Sequence, residues 1–144
     1  MTDDEDWRAS RREAFEAHAR AQQRAEAAQS AQALPLVEDF VRRAGEQQLT
    51  PGPLRATAYS GTASYRTPVV GWYLQPTGPL AIGTDGRFYV LIAAPGLAAR
   101  LRGVRIAPSP PPLAVGRGAR DGESMSLREL LEWRLSVGNT FRRR

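Results

Sequence analysis

The passage Leu113–Ser126 gathers the residues best suited to ligand chemistry. Gly116, Gly118 and Gly122 let backbone amides approach a ligand, Arg117 and Arg120 bring positive charge, and Ser126 opens a helix whose first N–H groups lack partners. These are the ingredients of a site for a small anion. The spacing matches no nucleotide fingerprint, because after Gly116-x-Gly118 the dinucleotide pattern requires its last glycine where Asp121 stands. No Gly-Lys-Ser/Thr run marks a P-loop either. Asp121 and Glu123 are close in sequence, but carboxylates in a glycine-rich loop flanked by arginines are expected to be solvated or ion-paired. Acid–base work on a sugar needs them held apart across a cleft with one pKa raised by burial.

The remaining chemical repertoire is narrow. With no cysteine, disulfides, thiolate nucleophiles and cysteine-ligated metal sites are excluded together. The single histidine, His18, would have to serve any histidine base, triad or metal site, and it stands in a polar Ala/Glu/Gln/Arg stretch that reads as the solvated surface of a helix. The residues therefore indicate no catalytic group, no metal site and no cofactor.

Binding has better material. All 20 basic residues are arginine against 15 acids, a net charge of +5 that is unevenly spread. Residues 1–50 hold ten acids and seven arginines, net −3, whereas residues 51–144 hold five acids and thirteen arginines, net +8. The basic part permits attraction to nucleic acid, to an anionic partner or to an acidic segment of another chain. Arg100, Arg102 and Arg105 form a local cluster there. Among the aromatics Tyr59, Tyr65, Trp72, Tyr73 and Tyr89, some must face outward unless helices cover both faces of the sheet. The arginine and aromatic pattern matches neither the aromatic motifs of an RRM nor the Gly-x-x-Gly loop of a KH domain, the Thr84-Asp85-Gly86-Arg87 turn being explained by hairpin geometry. Toward the N-terminus, Trp7 and Phe15 are the only large apolar residues before Leu34, about two helical turns apart, and are candidate anchors for a partner or for the domain body.

These residues must be carried by the following elements. Thr2-Asp3-Asp4-Glu5 has capping-box spacing, and from Glu5 to Gln32 there is neither Gly nor Pro, so a helix is predicted with little apolar face. Its seam would be alanine (Ala14, Ala21, Ala28), which contributes too little area for a stable homodimeric coiled coil. Pro35 marks an expected break and the start of an amphipathic helix through Leu36, Val37, Phe40, Val41 and Ala44. After Pro51-Gly52-Pro53, strands are predicted at Leu54–Tyr59, in the block Val69–Ile92, at Gly103–Ile106 and at Leu113–Val115. Asp85-Gly86 suits a two-residue hairpin turn that pairs Leu80–Gly83 with Phe88–Ile92, a strand apolar on both faces and so expected to be central. The run Pro108–Pro112 reads as a stiff connector crossing the edge of the fold. Ser126-Leu127-Arg128-Glu129 repeats the capping box and opens a last helix with Leu127, Leu130, Leu131 and Leu135 buried and Gly138 as its stop.

The chain thus reads as an α+β protein. An antiparallel sheet of four to six strands with two packed amphipathic helices occupies residues 35–137, preceded by a mostly polar helical arm at 1–34 and followed by a disordered basic tail at 138–144. No stretch is long and apolar enough to span a membrane, and the acidic start Asp3–Asp6 is unlike a secretory signal, so a cytoplasmic protein is expected. The expected function is non-enzymatic binding of a protein partner through the arm and the basic β-rich region. The alternatives are association with nucleic acid through the arginine clusters, or a ligand site or enzyme for a small anion at residues 116–126.

Overall fold

The computed structural model describes residues 2–116 and 123–144. One helix, α1, runs from Thr2 to Glu46 with Pro35 inside it, so the expected break does not occur. Proline lacks the N–H that would reach the carbonyl four residues back, a loss that ends most helices. Here Pro35 and Ala31 both lie on the exposed side of the helix, away from the residues that pack on the body. The turns on either side are fixed by Ala33, Val37, Phe40 and Ala44, all buried. Tertiary packing of the last third therefore carries the helix through.

Five strands follow, β1 (Gly52–Ala58), β2 (Ser64–Tyr73), β3 (Leu80–Gly83), β4 (Phe88–Val90) and β5 (Ile92–Ala93), in the spatial order β4-β3-β2-β1-β5. The first four pair antiparallel as the hydrophobic pattern requires, but β5 lies parallel to β1, with Thr57 opposite Ile92 and Ala58 opposite Ala93. The sheet is mixed. Leu91, the single residue between β4 and β5, explains how one stretch serves both ends of the sheet. Its N–H donates to the Pro79 carbonyl at 2.7 Å on the β3 side, and its carbonyl accepts from Thr57 N at 2.9 Å on β1. The sheet is thereby curled on itself around Leu91. Phe88–Ile92 is accordingly the seam of the curled sheet and not its central strand, although Phe88 and Tyr89 are buried on opposite faces as the sequence implied.

Curling produces two cores. Leu54, Ala56, Ala58, Tyr65, Ala81, Tyr89, Leu91 and Ala93 fill one face of the sheet, and half of them are alanine, which suits a tightly curved sheet with little room. The other face carries Trp72, Leu74, Ile82 and Phe88 against α1 and the last helix. Phe40 meets Trp72 edge to face at 5.7 Å, and the Trp72 indole N–H donates to Leu49 O at 3.2 Å. Gly71 lies opposite Gly83 where β2 and β3 approach closely, and a Cβ at Gly71 would overlap the Ile82 carbonyl. The β1–β2 register shifts between Pro53 and Arg55. There the Thr67 hydroxyl donates to Leu54 O at 2.7 Å and the Tyr73 hydroxyl accepts from Arg55 N at 2.8 Å, so the irregularity leaves neither backbone group unpaired.

The β3–β4 turn differs in detail from expectation. Gly83 N donates to Arg87 O at 2.9 Å, which leaves a three-residue loop, Thr84-Asp85-Gly86, with Gly86 at φ 80°. After a short helix α2 (Leu97–Arg102), residues 103–106 do not form the expected strand. Gly103 turns at φ 77° and Val104 N donates to Arg66 O at 2.8 Å. The proline run does cross an edge: Ser109 N donates to Phe88 O at 2.8 Å and Pro111 is buried. β6 (Ala114–Gly116) and β7 (Ser124–Ser126) pair as a separate antiparallel ribbon, so the passage read as a loop contains a strand. Helix α3 (Leu127–Val137) starts where the Ser126 hydroxyl accepts from Glu129 N and stops at Gly138 with φ 61°. It is tied to α1 by Arg43, which contacts both carboxylate oxygens of Glu132.

Residues 138–144, read as a disordered tail, have defined contacts. Gly138–Thr140 form a 3-10 turn, Phe141 packs edge to face on Trp133 at 6.2 Å, and Arg143 donates to Gln75 O at 2.7 Å and Gly78 O at 2.6 Å. Arg144 N donates to Pro76 O at 2.9 Å.

Candidate functional site

The sequence candidates fall in three places. Arg117 and Arg120 lie outside the described residues. Ser126, their companion in the anion-site reading, has its hydroxyl engaged by Glu129 N at 3.0 Å as the cap of α3. That explains the residue structurally.

Arg100, Arg102 and Arg105 are all exposed around α2. The structure adds a neighbour that sequence spacing does not reveal, Arg66 on β2, whose guanidinium donates to Leu101 O at 3.2 Å. Arg66, Arg102 and Arg105 share a shallow hollow of about 560 Å³ with Thr67, Pro68 and Leu101, and Arg100 lies off it. Its lining contains no aromatic side chain. Of the aromatics that could have interleaved with these arginines, Tyr65, Trp72 and Tyr89 are buried and Tyr59 is 71% exposed. The surface can attract phosphates but offers no stacking platform.

Trp7 and Phe15 stand on the free part of α1, 59% and 75% exposed. At 100° per residue the eight-residue interval offsets them by about 80°, so they occupy one broad side of the helix without touching. Arg11 lies 4.6 Å from the Trp7 ring centre, and the acids Asp3, Asp4 and Glu5 occupy the first turn, where they complement the helix dipole. From Thr2 to Gln32 every residue is exposed except Ala19 and Ser30, which are half-buried. This segment of 31 residues extends about 46 Å at 1.5 Å per residue.

Groups that resemble chemistry elsewhere have structural partners. The Tyr89 hydroxyl donates to Asp85 Oδ2 at 2.6 Å, while Asp85 Oδ1 accepts from Arg87 N at 3.0 Å. Burial, and then the Asp85 carboxylate, push the Tyr89 phenol up to about 12. This pair locks the β3–β4 turn onto the sheet. Glu132 is held below the usual carboxylate range by its hydrogen bond to Arg43. Among the described residues no group of three or more His, Asp or Glu side chains is arranged to hold a metal ion. No described helix is long and apolar enough to cross a membrane.

Sequence reasoning missed Arg134, which is only 5% exposed although charged. The signal was present, since position 134 falls seven residues after Leu127 and shares the stripe of Leu130, Leu131 and Leu135. An arginine on a leucine stripe is an anomaly that composition alone hides. Comparison of the chain with known protein families, curated proteins and solved structures found no match.

Proposed function

We propose that the chain is a non-enzymatic, cytoplasmic binding or adaptor protein that engages a protein partner through the free part of α1, with the basic body as a second contact. The observation that supports this reading is the 31-residue exposed segment of α1, which carries Trp7 and Phe15 into solvent. A helix without an apolar face gains nothing from the body of its own chain, and a segment of this length is marginal in isolation. Large aromatic side chains are the residues that anchor helices in partner grooves.

A photocrosslinking amino acid placed at position 15 of the full chain, in the cells that make it, tests the reading. A discrete adduct with another protein is expected, and its yield falls severalfold in the Trp7→Ala background. Adducts to nucleic acid alone, or none, would remove the proposal. The nucleic-acid alternative has the Arg66, Arg102 and Arg105 hollow in its favour. It requires affinity for random DNA or RNA that drops steeply between about 50 and 200 mM salt. A flat response would eliminate that alternative.

A further inference from the structure

A second cluster of arginines owes nothing to the arm. Between the start of β1, the end of β2 and the C-terminal segment lies an open hollow of about 460 Å³ walled by Arg134, Arg142 and Arg143. No acid lines it among the described residues. Arg134 reaches it from α3, donating through Nε to Tyr73 O at 2.7 Å and through a terminal nitrogen to Gly138 O at 2.9 Å, with the Phe141 ring 3.9 Å from its guanidinium carbon. Arg143 is clamped by Gln75 O and Gly78 O and sits 4.3 Å from the centre of the Tyr73 ring. Arg142 is exposed, with one terminal nitrogen shared between Asn139 O and Phe141 O.

Carbonyl dipoles and ring faces solvate a cation but do not cancel its charge. None of these three arginines has a carboxylate within salt-bridge distance among the described residues. Desolvation lowers the pKa of the buried Arg134 guanidinium and, through the part of Arg143 packed on the chain, that of the otherwise exposed Arg143. The carbonyl bonds occupy only part of each fork, and N–H donors remain on all three side chains. The floor beside them is fixed: Asn139 Oδ1 accepts from Thr50 N at 2.9 Å, and Asn139 Nδ2 donates to Gln48 O at 3.1 Å. That clip holds Gln48 at φ 55°, the only positive-φ residue in the described chain that is not glycine.

We propose that the hollow walled by Arg134, Arg142 and Arg143 is a binding site for a doubly charged oxyanion of the phosphate class. Three guanidiniums without an acid favour two negative charges over the single charge of a carboxylate, and planar forks match tetrahedral oxyanions through paired N–H bonds. The ligand carries its phosphate on a small molecule, because the hollow is bounded on one side by the docked C-terminal residues and the Tyr73 and Phe141 rings that line it already hold Arg143 and Arg134.

Isothermal titration of the full chain with inorganic phosphate, against sodium acetate and sodium chloride at matched ionic strength, tests the proposal. Saturable binding is expected for phosphate alone, tighter at about pH 8 than at about pH 6, where phosphate is mostly singly charged. Arg142→Ala and Arg143→Ala should each weaken it about tenfold or more, and Arg87→Ala, exposed on the β3–β4 turn and away from both arginine hollows, should leave it unchanged. Circular dichroism establishes that each variant is folded. The exposed Arg142 keeps the test decisive if Arg143→Ala loosens the C-terminal segment. An equal response to chloride, no saturable phosphate binding, or phosphate binding that survives Arg142→Ala at full strength would each overturn the proposal. So would binding of a single-stranded oligonucleotide lacking a terminal phosphate that matches binding of phosphate itself.

Discussion

Leu91→Ala is the sharpest probe of how the sheet is built. The side chain is 1% exposed and lies in the core of the curled sheet, at the residue that joins its two ends. Truncation removes three carbons at about 0.8 kcal/mol each, and a residual cavity in a small core raises the loss to roughly 3–4 kcal/mol. For a folded body of this size that is a fall in melting temperature of about 15–25 °C, read by circular dichroism or calorimetry. Ile92, the next residue, is 42% exposed and supplies the control, since Ile92→Ala should cost about 1 kcal/mol or less. A small effect at Leu91, or the same effect at both positions, would refute the closure described here.

Gly71→Ala should prevent β2 and β3 from approaching, because the new Cβ meets the Ile82 backbone and no side chain can move aside, and it should lower the melting temperature more than Gly45→Ala, where space is open. Ser126→Ala removes the α3 cap and should cost about 1 kcal/mol by chemical denaturation. Tyr89 has a folded-state pKa above its unfolded value near 10, so its contribution is complete below about pH 10 and is lost as pH rises through about 12. Denaturation midpoints compared between wild type and Tyr89→Phe should therefore converge across that window, and a difference independent of alkaline pH would contradict the assignment.

Much of the body was legible from residue pattern. The strand at Leu54, the antiparallel pairing of Leu80–Gly83 with the first part of Phe88–Ile92, and the capped helix with its leucine stripe all follow from local alternation, turn chemistry and capping. What was not legible depended on distant partners. Pro35 looks like a break because the rule is local, whereas its toleration depends on which side of α1 the core occupies. The curled, partly parallel sheet was hidden for a similar reason, since Leu91 reads as one more residue of a β-strand and its two hydrogen bonds reach Pro79 and Thr57. The candidate arginines divide along the same line. Arg100, Arg102 and Arg105 fall within six residues of sequence and are legible there, while Arg134 joins Arg142 and Arg143 through the turn after α3 that folds the tail back onto β2.

The proposal that this chain acts by presenting an exposed helix is tested most directly by amide hydrogen exchange, measured on the full chain alone and in the complex isolated through the position-15 crosslink. In the free chain, amides across residues 2–28 should exchange fast and those of Val37, Phe40 and Ala44 slowly; in the complex, protection should spread over the turns around Trp7 and Phe15. Protection confined to the sheet and α3, with the free helix as open as before, would contradict the account.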